Sequence, residues 1–533
     1  MIVWIESSCT AAGTGANIPA LASKVSFTHV ERAYFLKIAS PKLHTTHLTA
    51  NDEAMIRCEA ALLQKERGDY EGAQDIMRRL WAGVGERPEI GGLHAPIAAE
   101  VLLCVGVLTG WIGSKIQNKE SQEIAKNLIG ESISYFESAG DQKKAAAAQT
   151  EIAYCYWRDG QLEEARILLN GALEKLTTGG ITRARALLKL AIVEFSSSRY
   201  HEALRVLTDN AAMFEKLNDL STKGVYHGHL AIAFRNIARS EKREDYFPRA
   251  VAEFQKADEY FKLARNPVFR ADVKNNAALL LSNLSRFKEA HRSLDEGRRL
   301  SVSFKDKARV AQIDESRAQV FLAEGKPEQA EAVARRSAAA LEKSGHKILI
   351  ADALITQGIA SARSGKPARA QFILQKAYEI ATEVGALDKA GLAALTLIEE
   401  VENLSPTTLQ AAYDRAHEWL SKSGEKEILL RLNEAAGKLA SSVRGELSAE
   451  KATEILLSKP GCLQDRVLGV EREMIKQALG QANGSITHAA TSLGLSYQAL
   501  AYIITARHKD LLKERSPVRR RRARTPKELK TTA

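Results

Sequence analysis

The chain has 533 residues, 45% of them hydrophobic, which allows a substantial core and excludes global disorder. Proline is scarce (12 residues), aromatics make up 6%, and Ala, Leu, Glu, Lys and Arg dominate, a composition that favours helix over sheet. Of the formal net charge of +11, a surplus of +8 falls between residues 507 and 530, where eleven Lys or Arg face three acids, so the rest of the chain is nearly neutral.

The first 50 residues match no recognised family and are read as a segment of unknown order. Their opening, "MIVWIESSCTAAGTGANIPALA", lacks a basic region ahead of its apolar part and carries Glu6 within it, which argues against a signal peptide. His44 and His47 in "HTTH" have no partnering Cys or carboxylate cluster, so a surface role is expected rather than a metal site. The five cysteines (Cys9, Cys58, Cys104, Cys155 and Cys462) lie far apart and fit a reducing compartment, each as a small core residue. The most apolar run, "VLLCVGVLTGWIG" from Val101, is 13 residues long, too short to span a bilayer, and reads as a buried helix. A soluble, cytoplasmic chain without membrane association is expected.

From residue 51 a repeat takes over. An alanine follows a short turn in "GDYEGA" (Ala73), "SQEIAK" (Ala125), "GQLEEA" (Ala165), "SRYHEA" (Ala203), "YFPRA" (Ala250), "SRFKEA" (Ala290), "GKPEQA" (Ala330) and "GKPARA" (Ala370). From Ala125 onward the spacing stays near 40, except for the lengthened unit that holds "ARSEKREDYFPRA". A period near 40 with helical patterning on both sides of a turn predicts a solenoid of antiparallel helix pairs. The small residue lets the two backbones approach, Gly ends the first helix in a left-handed cap, and Pro327 and Pro367 open the second, where a missing N–H costs least.

"AQTEIAYCYWRDGQLEEARILLNGAL" (148–173), with Tyr156, Gly160, Ala165 and Ala172 in register, and "ALITQGIASARSGKPARAQFILQKAY" (353–378), with Gly358, Gly365, Ala370 and Ala377, resemble tetratricopeptide repeats of the longer kind. The resemblance covers roughly residues 55–440 and departs from the family in lacking most of the large aromatics early in the first helix. It implies a concave groove that binds a protein or peptide. Lys274 and Asn275 in "KNNAA" could meet such a ligand, although a polar pair bonded to the neighbouring repeat is the simpler expectation.

Gly445, Pro460 and Gly461 punctuate a less patterned stretch, after which "VEREMIKQALGQA" (470–482) presents Val470, Met474, Ile475, Ala478, Leu479 and Ala482 as an apolar stripe. "NGS" breaks that helix. "ITHAATSLG" follows, with Ser485 or Thr487 as its cap, and Ser496 caps a final helix, "YQALAYIITARHK". Ala490, Gly494, Leu500 and Ile503 then have helix-turn-helix spacing: a small residue where helices touch, a turn with positive φ, and apolar anchors beyond it.

The residues Val470-Glu471-Arg472, Ile475, Ala478-Leu479, Gly484, Thr487, Ala489-Ala490, Leu493-Gly494-Leu495, Ser496 and Leu500 resemble the Fis-type helix-turn-helix of bacterial regulators. The resemblance implies that Ser485, Thr487 and His488 face phosphates while Ser496, Tyr497, Gln498 and Tyr502 lie along the major groove of double-stranded DNA. It also implies a homodimer through this domain. Arg or Lys usually stands early in the recognition helix; here Tyr497, Ala501 and Tyr502 take those places, and positive charge moves to Arg507, Lys509 and the run Arg519, Arg520, Arg521 and Arg522. Gln498 suits adenine and Ala499 a thymine methyl, so affinity from phosphates, modest specificity and no GC-rich motif are expected.

No nucleotide-binding loop, zinc-protease helix or nucleophile elbow occurs. His227 and His229, two apart on a helix, point to different faces, and acidic stretches such as "IEEVEN" (398–403) read as solvated surface. Neither catalysis nor a cofactor is expected. The sequence thus predicts an all-α chain: an N-terminal segment (1–50), a tetratricopeptide-like helical solenoid (51–442), a linker (443–464), a small helix-turn-helix domain (465–512) and a basic tail (513–533). The function expected is transcriptional regulation through DNA. The competing readings are a repeat-based scaffold whose terminal module binds nucleic acid non-specifically, and an RNA-associated protein that uses the arginine-rich tail.

Overall fold

The computed structural model describes residues 49–66, 69–115, 118, 120–344, 346–421, 423–457 and 463–514. The fold is all-α: twenty-three α-helices and one 3-10 helix, with no strand among the described residues. The chain divides into two compact units, residues 1–435 and 436–533.

The first unit is a tetratricopeptide-like stack of helix pairs. They are α1 (Ala50–Glu66) with α2 (Tyr70–Met77), α3 (Ala95–Lys115) with α4 (Ser121–Ser138), and α5 (Gln142–Arg158) with α6 (Leu162–Lys175). Next come α7 (Ile181–Ser196) with α8 (Tyr200–Thr208) and the short α9 (Ala211–Lys216), then α10 (Leu220–Glu241) with α11 (Tyr246–Leu263). The stack continues with α12 (Pro267–Asn283) and α13 (Phe287–Ser303), α14 (Lys307–Ala323) and α15 (Pro327–Ser344), then α16 (Lys347–Arg363) and α17 (Pro367–Glu383). The last pair is α18 (Leu387–Glu400) with α19 (Pro406–Leu420), followed by the long α20 (Lys426–Leu457). Helix α20 runs through most of the residues read above as a linker.

The eight alanines that define the repeat are all fully buried: Ala73, Ala125, Ala165, Ala203, Ala250, Ala290, Ala330 and Ala370. Each sits in the first turns of a second helix, where a methyl group lets the partner backbone close in. Leu409, 39 residues beyond Ala370, takes the same place in α19 and is also buried, which marks a ninth pair that the alanine pattern does not reveal. Asp69, Asp141, Asn266, Asp306 and Ser405 start helices by accepting the N–H three residues on, at 2.9 to 3.2 Å. Gly160, Gly325 and Gly365 end first helices at φ of 72° to 76°. Ser198 and Ser285 do the same job at φ 57° without the freedom of glycine.

Two expectations need adjustment, the length of the apolar run and the solvation of two acids, and two others gain structural detail. The 13-residue apolar run extends into the 21-residue α3, whose segment Ala95–Ser114 is long and apolar enough to cross a membrane. In the structure 61% of it is buried, as Val101, Val105 and Leu108 pack with Tyr70 and Trp81 from the first pair and its connection to α3. The lengthened unit gains its residues in two places, a break at Asp209 and Asn210 that starts α9, and the 22-residue α10. Glu399 and Glu400 are not simply solvated; they are half-buried and paired with Arg431 at 2.7 Å and Arg363 at 2.6 Å. Lys274 bridges Asp258 (2.8 Å) and Glu296 (2.9 Å) on the flanking second helices, so that it braces its own stack.

His227 bonds Glu253 at 2.5 Å, while His229 is buried with its ring edge-on to Phe195, so the two point apart as their spacing requires. Cys58, Cys104 and Cys155 are buried thiols. Cys9, Cys462, His44 and His47 lie outside the described residues.

Candidate nucleic-acid interface

In the second unit, α21 (Leu463–Gln481), α22 (Ile486–Ser492), α23 (Tyr497–Arg507) and a 3-10 turn (Lys509–Glu514) surround one small core. Ile475, Ala478 and Leu479 from α21 meet Ile486, Ala489 and Ala490 from α22, Leu500 and Ile504 from α23, and Leu511 from the turn. Ala489 and Ala490 are fully or almost fully buried, which is what two short helices in close contact need.

Both breaks are built from left-handed residues. Asn483 (φ 48°) and Gly484 (φ 78°) end α21, and Gly484 N–H donates back to the Leu479 carbonyl at 2.8 Å. Gly494 (φ 69°) ends α22, with Leu495 N–H donating to Ala490 O at 2.9 Å. Of the two cap candidates, Ser485 is the one used: its hydroxyl accepts the His488 N–H at 3.5 Å, and Thr487 sits in the first turn of α22 instead. Ser496 caps α23 through the Ala499 N–H at 3.1 Å.

The stripes differ slightly from the expected ones. Met474 is 46% exposed, and on α23 the second buried anchor is Ile504, with Ile503 only partly covered. A helix advances 100° per residue, so Leu500 and Ile504, four apart, share the inward face more closely than Leu500 and Ile503 do at this crossing. Val470 lies in α21, but its side chain is outside the description.

Outward, α23 shows Tyr497 (46% exposed), Gln498 and Tyr502 (69% exposed), with Thr505 and Ala506 continuing the same surface. Thr487 and His488 are exposed on α22, while the hydroxyls of Ser485 and Ser496 are engaged as caps. From Ser496 to Ala506 there is no charged side chain. Arg507 at the end of α23 is half exposed but tied to Glu471 at 3.2 Å, and Arg472 bonds Asp510 at 2.5 Å. The Arg472 guanidinium holds the Asp510 carboxyl below its ordinary range. Lys509 is exposed; Arg519, Arg520, Arg521 and Arg522 lie outside the described residues.

Thr505 and Ala506 were not singled out from sequence, although their place three and four residues beyond Tyr502 on a helix carries the signal. The engagement of Arg507 by Glu471 had no sequence signal, because the two are 36 residues apart.

Residues 469–504 match the model of the bacterial regulatory protein, Fis family. No curated protein matches the sequence. Among solved structures, the apo quorum sensor NprR from B. thuringiensis is similar at 13% identity, over 66% of this chain and 94% of that one, with a TM-score of 0.46. A signal transduction ATPase with numerous domains and a tetratricopeptide repeat sensor, from Pyrococcus horikoshii, is similar at 14% identity over 75% and 57%, with a TM-score of 0.45. A Rap protein complexed with competence and sporulation factor is similar at 14% identity over 64% and 99%, with a TM-score of 0.41.

Proposed function

We propose that the protein is a transcriptional regulator in which the C-terminal helix-turn-helix binds double-stranded DNA and the repeat solenoid receives a protein or peptide partner. The observation that carries this reading is the two-faced α23: Leu500 and Ile504 buried inward, and Tyr497, Gln498 and Tyr502 presented outward within a segment that matches the Fis family. In the major groove, Gln498 would address adenine, and the tyrosine rings would contact thymine methyls and sugar edges. Thr487 and His488 on α22 would approach phosphates, joined by Lys509, by Arg507 once released from Glu471, and by Arg519, Arg520, Arg521 and Arg522 of the tail. Two copies bound one helical turn apart would read a two-fold site.

Selection of random duplex DNA by the full-length protein at physiological salt tests the reading. Enrichment of a two-fold motif supports a site-specific regulator, and loss of enrichment in Gln498→Ala would place the readout on α23. DNA recovered without enrichment, and equally by both proteins, would sink it.

One observation favours a second reading, a scaffold. Leu495, Tyr497 and Tyr502 make a partly apolar exposed strip, a surface that could dock on protein as readily as on DNA. In that case Tyr502→Ala would remove a protein partner and leave duplex binding intact.

A further inference from the structure

Within the first unit the solenoid bends until two distant turns meet. A Cβ built on Gly424, just ahead of α20, lies 3.4 Å from Ser198 Oγ and 3.8 Å from Ser198 Cβ, in the turn between α7 and α8. Beside it Arg239 of α10 reaches Glu427 of α20 at 2.9 Å, across 188 residues of chain. Behind this seam lies a cavity of about 1260 Å³, walled on one side by Trp157, Phe195 and Arg239 and on the other by Ile348, Asp388 and Leu430.

The seam is built unlike the stack. The stack is held by apolar clusters that reach over several helices, such as those drawn from residues 184–280 and 308–393, and among the described residues neither of these two includes a residue of the 424–430 side of the seam. Among the described residues, an ion pair with half-exposed partners and the contact of a glycine with a serine cross it, with Glu425 close enough to Tyr200 to act on it electrostatically. An exposed pair contributes little and is screened by salt. A thin polar contact beside apolar clusters is the kind of element expected to open at low cost.

We infer that the Arg239–Glu427 pair and the Ser198–Gly424 contact form a latch that holds the solenoid bent around this half-open cavity and opens without disturbing the stacking of the repeats. The latch makes this part of the cavity wall a movable one. The latch stands whether or not the second unit binds DNA.

The 3.8 Å separation matches the Cβ–Cβ distance of a disulfide, which supplies a direct test. The full-length Ser198→Cys/Gly424→Cys variant, with Cys9→Ser and Cys462→Ser added to remove thiols outside the description, is oxidised with glutathione disulfide and the rate of cross-linking is followed. We expect ready cross-linking at low salt, slowed about threefold or more by Arg239→Glu, restored by adding Glu427→Arg, and slowed again by about 0.5 M salt. No cross-link in a protein of native helix content, or a rate indifferent to Arg239→Glu and to salt, overturns the latch. As a check without cysteines, X-ray scattering should show a larger radius of gyration for Arg239→Glu than for the native chain, reversed by Glu427→Arg. Equal radii for all three count against it.

Discussion

Ser285 shows how a single residue can carry a cost that its repeat position makes visible. It holds φ 57° where Gly325 and Gly365 hold the same cap in other pairs, and its side chain is exposed. Ser285→Gly should raise the urea midpoint, worth about 0.5–1 kcal/mol, because relief of the left-handed strain exceeds the added chain entropy. Two buried titrating groups act with opposite sign. Burial pushes the Glu315 carboxyl up to about 7, against hydrogen bonds from the Thr356 hydroxyl and the Gln319 amide at 2.6 Å that pull it down. The folded chain therefore keeps a proton that the unfolded chain releases near pH 4.3, and stability is lost as pH rises from about 4.5 through 7. Glu315→Gln should remove that loss, so the native protein falls by roughly 2 kcal/mol more than the variant between pH 5 and pH 8, measured by chemical denaturation. Burial alone pushes His229 down to about 3. Here the unfolded chain takes the extra proton, so stability is lost as pH falls below about 6.5, and His229→Gln should flatten the acid limb by roughly 1 kcal/mol per pH unit.

At the scale of elements, the alanine at the start of each second helix sets the distance between paired backbones. Ala290→Leu places three more carbons into a fully buried contact and should cost about 1–3 kcal/mol through displaced neighbours. The ninth pair has settled around the larger side chain, so there the reverse change is the damaging one: Leu409→Ala should cost about 2–4 kcal/mol as a cavity. Thermal or urea unfolding of both variants checks the pair of signs. These positions were legible because the repeat aligns its own copies; α19 was harder to see because Leu409 breaks the alanine signature while keeping its place. The helix-turn-helix was similarly legible through Ala490, Gly494 and Leu500. Ile504 displaced Ile503 as the deep anchor because small differences in crossing decide which of two adjacent apolar residues turns fully inward.

At the scale of the whole molecule, charge and the proposed recognition face are separated along the chain. The outward face of α23 is neutral, while the surplus of +8 lies between residues 507 and 530. If about six tail cations sit on phosphates, DNA affinity should fall with roughly the fifth power of salt concentration. Removing residues 515–533 should flatten that dependence and weaken binding to all duplexes alike, while the base preference proposed for Gln498 persists. Titrations of the native and truncated proteins at several salt concentrations check this, and equal slopes would show that the tail stays off the DNA. The latch belongs to the same scale, since it joins turns that are neighbours only because every intervening pair adds its own rotation to the superhelix.

The sequence by itself determined what repeats within a few turns of chain: the helix pairs, their buried alanines, the glycine and proline punctuation, and the Ser496 cap of the terminal module. Each rests on spacing of three, four or forty residues and on side-chain size, and all of these are read along the chain. The tertiary structure alone decided that Arg507 is engaged by Glu471, that Glu399 and Glu400 find arginines, and that Arg239 meets Glu427. Such pairings depend on the summed geometry of many turns, in which a few degrees at each pair move a distant partner by many ångströms. No local pattern records that sum.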